Sequence, residues 1–128
     1  LAALALDTEE KRIAKTLAFA DGEGAILVVT AGDAKIDNRL FKETFKMKAK
    51  MLDPESLYTL TGYKVGGVCP FAIPSGVPIY LDESLRRFES VYPACGSANS
   101  AIKLGVEELF EISRATSWVD VCKGWRDA

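Results

Sequence analysis

Apolar residues fall in short blocks along this chain, and the spacing of those blocks changes several times. Residues 16–20 and 25–30 are strand-length apolar runs, and Asp21-Gly22-Glu23-Gly24 between them has turn chemistry, so the pattern predicts a β-hairpin. The second run lacks alternation, which predicts burial on both faces. Ahead of the hairpin, Asp7-Thr8-Glu9-Glu10 has the capping and acidic residues of a short helical turn. Asp37 caps a predicted helix over residues 38–46, with lysines on a following strand. Asp53-Pro54-Glu55-Ser56 opens a second helix, which Gly62 ends. Residues 63–75 form a long loop containing Gly66-Gly67, Pro70 and Pro74. Strands are predicted over 77–81, 88–93, 101–104 and 118–122, with a helix over 106–113. Strands in local runs with interspersed helices indicate an α+β domain with a mixed sheet. No internal repeat, low-complexity stretch or interdomain linker interrupts it.

Composition narrows the class. The chain has 128 residues, 48% hydrophobic and 27% charged, which suits one soluble globular domain. Its apolar runs, residues 25–29 among them, are far short of the roughly 18–20 residues that span a bilayer. A net charge of −2 excludes a generally basic nucleic-acid coat. Locally the balance differs. Residues 35–50 carry Lys35, Arg39, Lys42, Lys46, Lys48 and Lys50 against Asp37 and Glu43, a charge of +4. Arg39, Lys42 and Lys46 fall on one face of the predicted helix. That face is either a solvated surface or a phosphate-backbone contact.

The chain has no histidine. Ser-His-Asp and Cys-His catalysis, the common zinc-hydrolase sites and the usual neutral-pH base are therefore excluded. Cys69, Cys95 and Cys122 are odd in number and widely spaced, which predicts reduced thiols in a cytoplasmic protein and no Cys-only metal site. Residues 1–6 lack a basic region, so they make a poor signal peptide. They look like the last turns of a helix whose beginning is missing, as in a processed or truncated product.

Two loops could carry chemistry. In residues 61–71, Gly66 and Gly67 remove side chains where backbone N–H groups could approach a carbonyl oxygen or a phosphate, and Pro70 restricts the exit. A sharp surface turn explains the same glycines. In residues 93–100, Ser97, Asn99 and Ser100 supply short hydrogen-bonding groups, as ordinary turns also do. Cys95 without a histidine is a weak nucleophile, and Lys15 at the start of the first strand is by itself an ordinary lysine.

The order of these motifs is informative. Lys15-Thr16-Leu17 is followed by Thr61-Gly62-Tyr63, then Val65-Gly66-Gly67-Val68-Cys69-Pro70, then Asp82, and then the Gly96-Ser97-Ala98-Asn99 turn after Tyr92. This succession, from about Lys15 to Val121, resembles the YbaK-type family related to the editing domain of bacterial prolyl-tRNA synthetases. The resemblance implies a single domain with a curved, barrel-like mixed sheet flanked by helices. It also implies a trans-editing hydrolase that cleaves the ester of a mischarged aminoacyl-tRNA, typically a tRNA for proline, without a cofactor or metal. Lys15 corresponds to the family lysine and Gly66 to the glycine of its Gly-Gly-x-x-Pro loop, with Gly67 beside it as a second catalytic candidate. Thr16, Cys69, Pro70, Phe71, Ala94, Cys95, Gly96, Ser97 and Asn99 become substrate-binding candidates. Arg39, Lys42 and Lys46 become candidates for contact with the tRNA acceptor end. Implied partners are that tRNA end and prolyl-tRNA synthetase, with neither DNA nor membrane, in the cytoplasm.

The sequence also departs from the family pattern. Ala94-Cys95-Gly96 stands where the cysteinyl-tRNA deacylases have a serine, and Cys69 replaces a serine of the glycine loop. The chain starts too late to include the family's first strand and most of its first helix. Two other classes compete: a non-catalytic module binding a tRNA end, a nucleotide or a synthetase, and a thiol redox protein using Cys69 and Cys95.

Overall fold

The computed structural model describes residues 10–94 and 102–126. Within them the chain forms β1 (Ile13–Asp21), β2 (Gly24–Ala31), β3 (Lys35–Ile36), α1 (Asn38–Phe45), α2 (Pro54–Thr61), β4 (Ile79–Asp82), β5 (Ser90–Pro93), β6 (Leu104–Gly105), α3 (Val106–Ile112), β7 (Ser117–Val119) and β8 (Cys122–Lys123). Short 3-10 turns at Glu10–Arg12 and Glu83–Arg87 complete it. None of the described helices is long and apolar enough to cross a membrane.

The hairpin forms as the turn residues require. β1 and β2 pair antiparallel from Ala14↔Ala31 to Asp21↔Gly24, and Gly22 takes a left-handed backbone between them. β2 is buried along nearly its whole length, because it lies between β1 and β4 and is covered on both faces. A six-stranded sheet of order β6-β5-β1-β2-β4-β7 results, and β3 with β8 makes a separate two-stranded ribbon. The β1–β5, β2–β4 and β4–β7 pairs are parallel and the β1–β2 and β5–β6 pairs antiparallel, so the sheet is mixed as expected. It curls into a half-barrel with three helices.

Caps set the helix limits. The Asp37 side chain accepts from Arg39 and Leu40 N–H, and that of Asp53 from Ser56 N–H. Gly62 closes α2 in the left-handed region. Lys46, expected inside α1, instead closes it with φ 61°. Phe41 and Phe45 lay an aromatic chain across one sheet face, with Phe19, Phe41, Phe45 and Tyr80 in succession at centroid distances of 4.7, 4.7 and 4.9 Å.

The strand expected over 118–122 is two strands. Asp82 is the reason. Its carboxylate, fully buried at the end of β4, accepts from Val121 N–H at 2.8 Å and from Ser84 N–H at 2.9 Å. The Val121 carbonyl in turn accepts from Asp37 N–H at 2.8 Å. Val121 therefore leaves the β4 ladder, and Cys122 starts the ribbon with β3. The strand expected from residue 88 starts at Ser90, because Phe88 N–H still closes the 3-10 turn on Leu85. Of the strand expected over 101–104, Leu104 alone is observed, continuing into Gly105, and Ala101 lies outside the described residues.

Arg87 ties the 3-10 turn to two distant segments. Its guanidinium donates to both carboxylate oxygens of Asp33, at 2.6 and 3.0 Å, and to the Trp125 carbonyl at 3.2 Å. The hydrogen bonds from Arg87 hold the Asp33 carboxyl below its ordinary value, against a smaller opposing effect of burial.

Two outcomes follow for stability. Asp82→Ala leaves two buried N–H groups without an acceptor and should cost about 2–4 kcal/mol in urea unfolding, whereas Asp82→Asn, which keeps one acceptor oxygen, should cost less. Equal midpoints for wild type and Asp82→Ala would remove the carboxylate from its bracing role. Because the folded-state value of Asp33 is depressed, its pairing stabilises the fold above pH 3.8 and is lost as pH falls through the lowered value. The stability gap between wild type and Arg87→Gln should thus be wider at pH 7 than at pH 2.5, and a gap independent of pH would contradict the pairing.

Candidate active site

Lys15 lies on β1 opposite Thr30 of β2. Strand periodicity puts its side chain on the sheet face that also carries Leu17, Val28 and Tyr80, with Asp82 two residues beyond Tyr80. α1 covers the Phe19 end of that face, and Lys15 at the other end stays partly exposed. The free thiol of Cys122 is buried next to Asp82, and burial, reinforced by that carboxylate, pushes it far above the usual thiol range. Lys15 draws it the other way, which puts the ammonium within electrostatic reach of Cys122. Among the described residues Lys15 has no ion-pair partner.

The outer edge of β1 has two different neighbours. At one end Ala94 N–H donates to the Ala14 carbonyl at 2.8 Å, next to the parallel pairing with β5. At the other end Ala20 N–H donates to the Lys50 carbonyl at 2.8 Å, and Leu52 N–H to the Ala18 carbonyl at 3.1 Å. Even-numbered residues of β1 aim their peptide groups at this edge, so those of Thr16 face the interval between the two neighbours. Among the described residues no main-chain hydrogen bond occupies them. The Thr16 hydroxyl oxygen is also buried without a partner. Lys15, Thr16 and Ala94 are thus neighbours at this edge of the sheet.

The glycine loop has its own framework. Thr61 Oγ1 donates to the Leu57 carbonyl and accepts from Tyr63 N–H, while the Tyr63 hydroxyl donates to the Phe71 carbonyl at 2.7 Å. That clasp closes residues 63–71 into a compact unit, with Pro70 buried and Phe71 against the core. A tyrosine in a loop gives no sign in the sequence of which carbonyl it will meet, so the clasp was not foreseen. Gly66 has φ +83°, where a side chain is strained although nothing would collide with it. Gly67 N–H donates to the Lys64 carbonyl at 2.9 Å, so the turn itself uses that donor. The Gly66 N–H has no such partner among the described residues. No described hydrogen bond or ion pair links this loop to Lys15.

Cys69 differs from expectation. It is disulfide-bonded rather than a reduced thiol. Cys95, Gly96, Ser97 and Asn99 lie outside the described residues. Arg39 pairs with Glu43 at 3.3 Å on the exposed face of α1, Lys42 is exposed in the last turn, and Lys46 lies just past the helix end. No three His, Cys, Asp or Glu side chains among the described residues are grouped to hold a metal ion. A cavity of about 540 Å³ between the 72–79 loop and residues 112–116 contains neither Lys15 nor Gly66.

Comparisons place this geometry among known proteins. The uncharacterized protein YwhH of Bacillus subtilis (strain 168) is 53% identical over 115 residues, spanning 89% of this chain and 73% of YwhH. The crystal structure of a candidate trans-editing enzyme for prolyl tRNA synthetase superposes with a TM-score of 0.84 at 29% identity, covering 96% of this chain and 78% of that one. The crystal structure of the hypothetical protein APE2540 gives 0.81 at 32% identity, covering 95% and 81%. Residues 1–112 match the aminoacyl-tRNA editing domain, and the chain belongs to that family.

Proposed function

We propose that this domain is an aminoacyl-tRNA deacylase that works on a mischarged tRNA, most simply a tRNA for proline. Family membership supports the editing role, and the similar candidate trans-editing enzyme supports the link to prolyl-tRNA synthetase. The observation that carries the chemistry lies at the β1 edge, where among the described residues the Lys15 ammonium has no ion-pair partner and the neighbouring Thr16 main-chain groups have no hydrogen-bond partner. An aminoacyl ester has matching groups: a carbonyl oxygen, an α-ammonium and a ribose hydroxyl.

In this reading Lys15 holds the ester or a terminal ribose hydroxyl. The Gly66 N–H donates to the ester carbonyl and stabilises the negative charge that develops there. Gly67 serves by making the turn that presents Gly66. Thr16 contributes its C=O and N–H to the aminoacyl group, with Cys69, Pro70, Phe71 and Ala94 forming walls. Water, or a group of the substrate itself, attacks the carbonyl carbon; the acyl–oxygen bond breaks and the ribose oxygen takes a proton. No enzyme acyl intermediate forms. Positioning and electrostatics provide the acceleration, which suits a chain without histidine. Arg39, Lys42 and Lys46 face the acceptor end.

Deacylation of alanyl-, cysteinyl- and seryl-tRNA for proline tests this. Wild type should release one of these amino acids, and Lys15→Ala should lose at least about 100-fold in rate with unchanged thermal unfolding. A fully active Lys15→Ala ends the assignment. Gly66→Ala should lower the rate by about 5–30-fold, since a left-handed alanine costs about 1–2 kcal/mol and relaxing it turns the N–H away. A wild-type rate in that variant would release Gly66 from its role.

A further inference from the structure

Lys46 breaks α1 with its left-handed backbone, and the chain then runs beside β1, reaching it through the antiparallel bridge Phe19↔Met51. Lys50 meets Ala20 and Leu52 meets Ala18, so the segment advances toward the Lys15 end of β1. Its side chains alternate. Met47 and Ala49 turn inward against the core, while Lys46, Lys48 and Lys50 are exposed. Side chains on the same side of an extended segment recur about every 7 Å.

The acids around this row are few and mostly engaged. No Asp or Glu lies between Glu43 and Asp53 in the sequence. Glu43 is paired with Arg39, and both carboxylate oxygens of Asp53 accept from Ser56. Glu23, on the β1–β2 turn, shares a hollow with Lys50 and Asp53. None of the three lysines forms an ion pair among the described residues. In a chain of net charge −2, three exposed lysines at alternate positions make a local field of opposite sign.

We propose that Lys46, Lys48 and Lys50 form a phosphate-binding stripe that carries the sugar–phosphate backbone of the tRNA acceptor end leading away from Lys15. The proposal rests on the deacylase reading for its partner and extends the predicted contact from the helix face to the extended segment. Ala20, beside Lys50, is five strand residues from Lys15, or about 17 Å, so the stripe reaches nucleotides behind the esterified one. Lysines at strand spacing act as point charges on a polyanion and carry no base specificity.

The test uses the full chain, an uncharged acceptor-stem RNA hairpin, and a 3′-aminoacyl adenosine that has the ester but no phosphate. K48Q/K50Q should bind the hairpin about tenfold more weakly at 50 mM salt, and the slope of log affinity against log salt should fall by about 1.4. R86Q, which removes an exposed positive charge on the Glu83–Arg87 turn, should leave that slope unchanged. Hydrolysis of the aminoacyl adenosine should be the same in wild type and K48Q/K50Q. An unchanged slope in K48Q/K50Q, or an equal loss in R86Q, overturns the stripe. If wild type hydrolyses neither the aminoacyl adenosine nor the mischarged tRNAs, the deacylase reading fails, and the salt series on the hairpin still decides the stripe.

Discussion

Peptide groups on the edge of a sheet need partners, and β1 finds them from two unrelated parts of the chain. Ala94 satisfies one end and the 50–52 segment the other. Among the described residues neither neighbour reaches the middle, where Thr16 stands. On the 50–52 side that reach is limited by Asp53, which turns the chain into α2. Helix capping at Asp53, a local event, thus bounds the site.

The opposite side of the site is set by buried charge. Asp82 gives its two oxygens to Val121 and Ser84, which holds the C-terminal ribbon under Lys15. A carboxylate buried there is tolerable because charged hydrogen bonds replace its water. It also leaves Cys122 as a thiol and not a thiolate, since burial and the neighbouring negative charge both oppose ionisation. Lys15 accordingly stands near a protonated thiol, and its charge is not consumed by a thiolate partner. The same device recurs outside the site, where Arg87 gathers Asp33, Ser84 and Trp125.

Local chemistry was legible in the sequence, and pairing over distance was not. Asp37, Asp53 and Gly62 act as their residue types and spacings require, and the Gly22 turn makes its hairpin. The mixed, curled sheet and the family were legible from ordered motifs. Three features were hidden for a common reason. The break at residue 120–121 depends on a carboxylate 39 positions away, the Tyr63 clasp on a carbonyl, and the Cys69 bond on a second sulfur. Periodicity also ran α1 one residue too far, because nothing in the side chain of Lys46 announces a left-handed backbone. The lysine stripe was counted as charge but could not be placed, since its alternation has meaning only once the segment is known to be extended.

Selectivity in the proposed reaction meets a physical limit. A pocket that measures only the aminoacyl side chain distinguishes one methylene by about 1–3 kcal/mol, and the walls proposed for it, Pro70, Phe71 and Ala94, are apolar. Such a pocket alone would also cleave correctly charged tRNAs bearing a similar amino acid. Discrimination has to include the nucleic acid, so that the wrong amino acid is removed only from a tRNA the domain retains. Contacts to phosphates cannot read that identity directly, but they fix how far the acceptor end enters the site at Thr16. A small ester without phosphates lacks that alignment and forfeits its share of positioning. If both proposals hold, binding along the 46–50 segment and catalysis at Lys15 are coupled through β1, against which that segment lies.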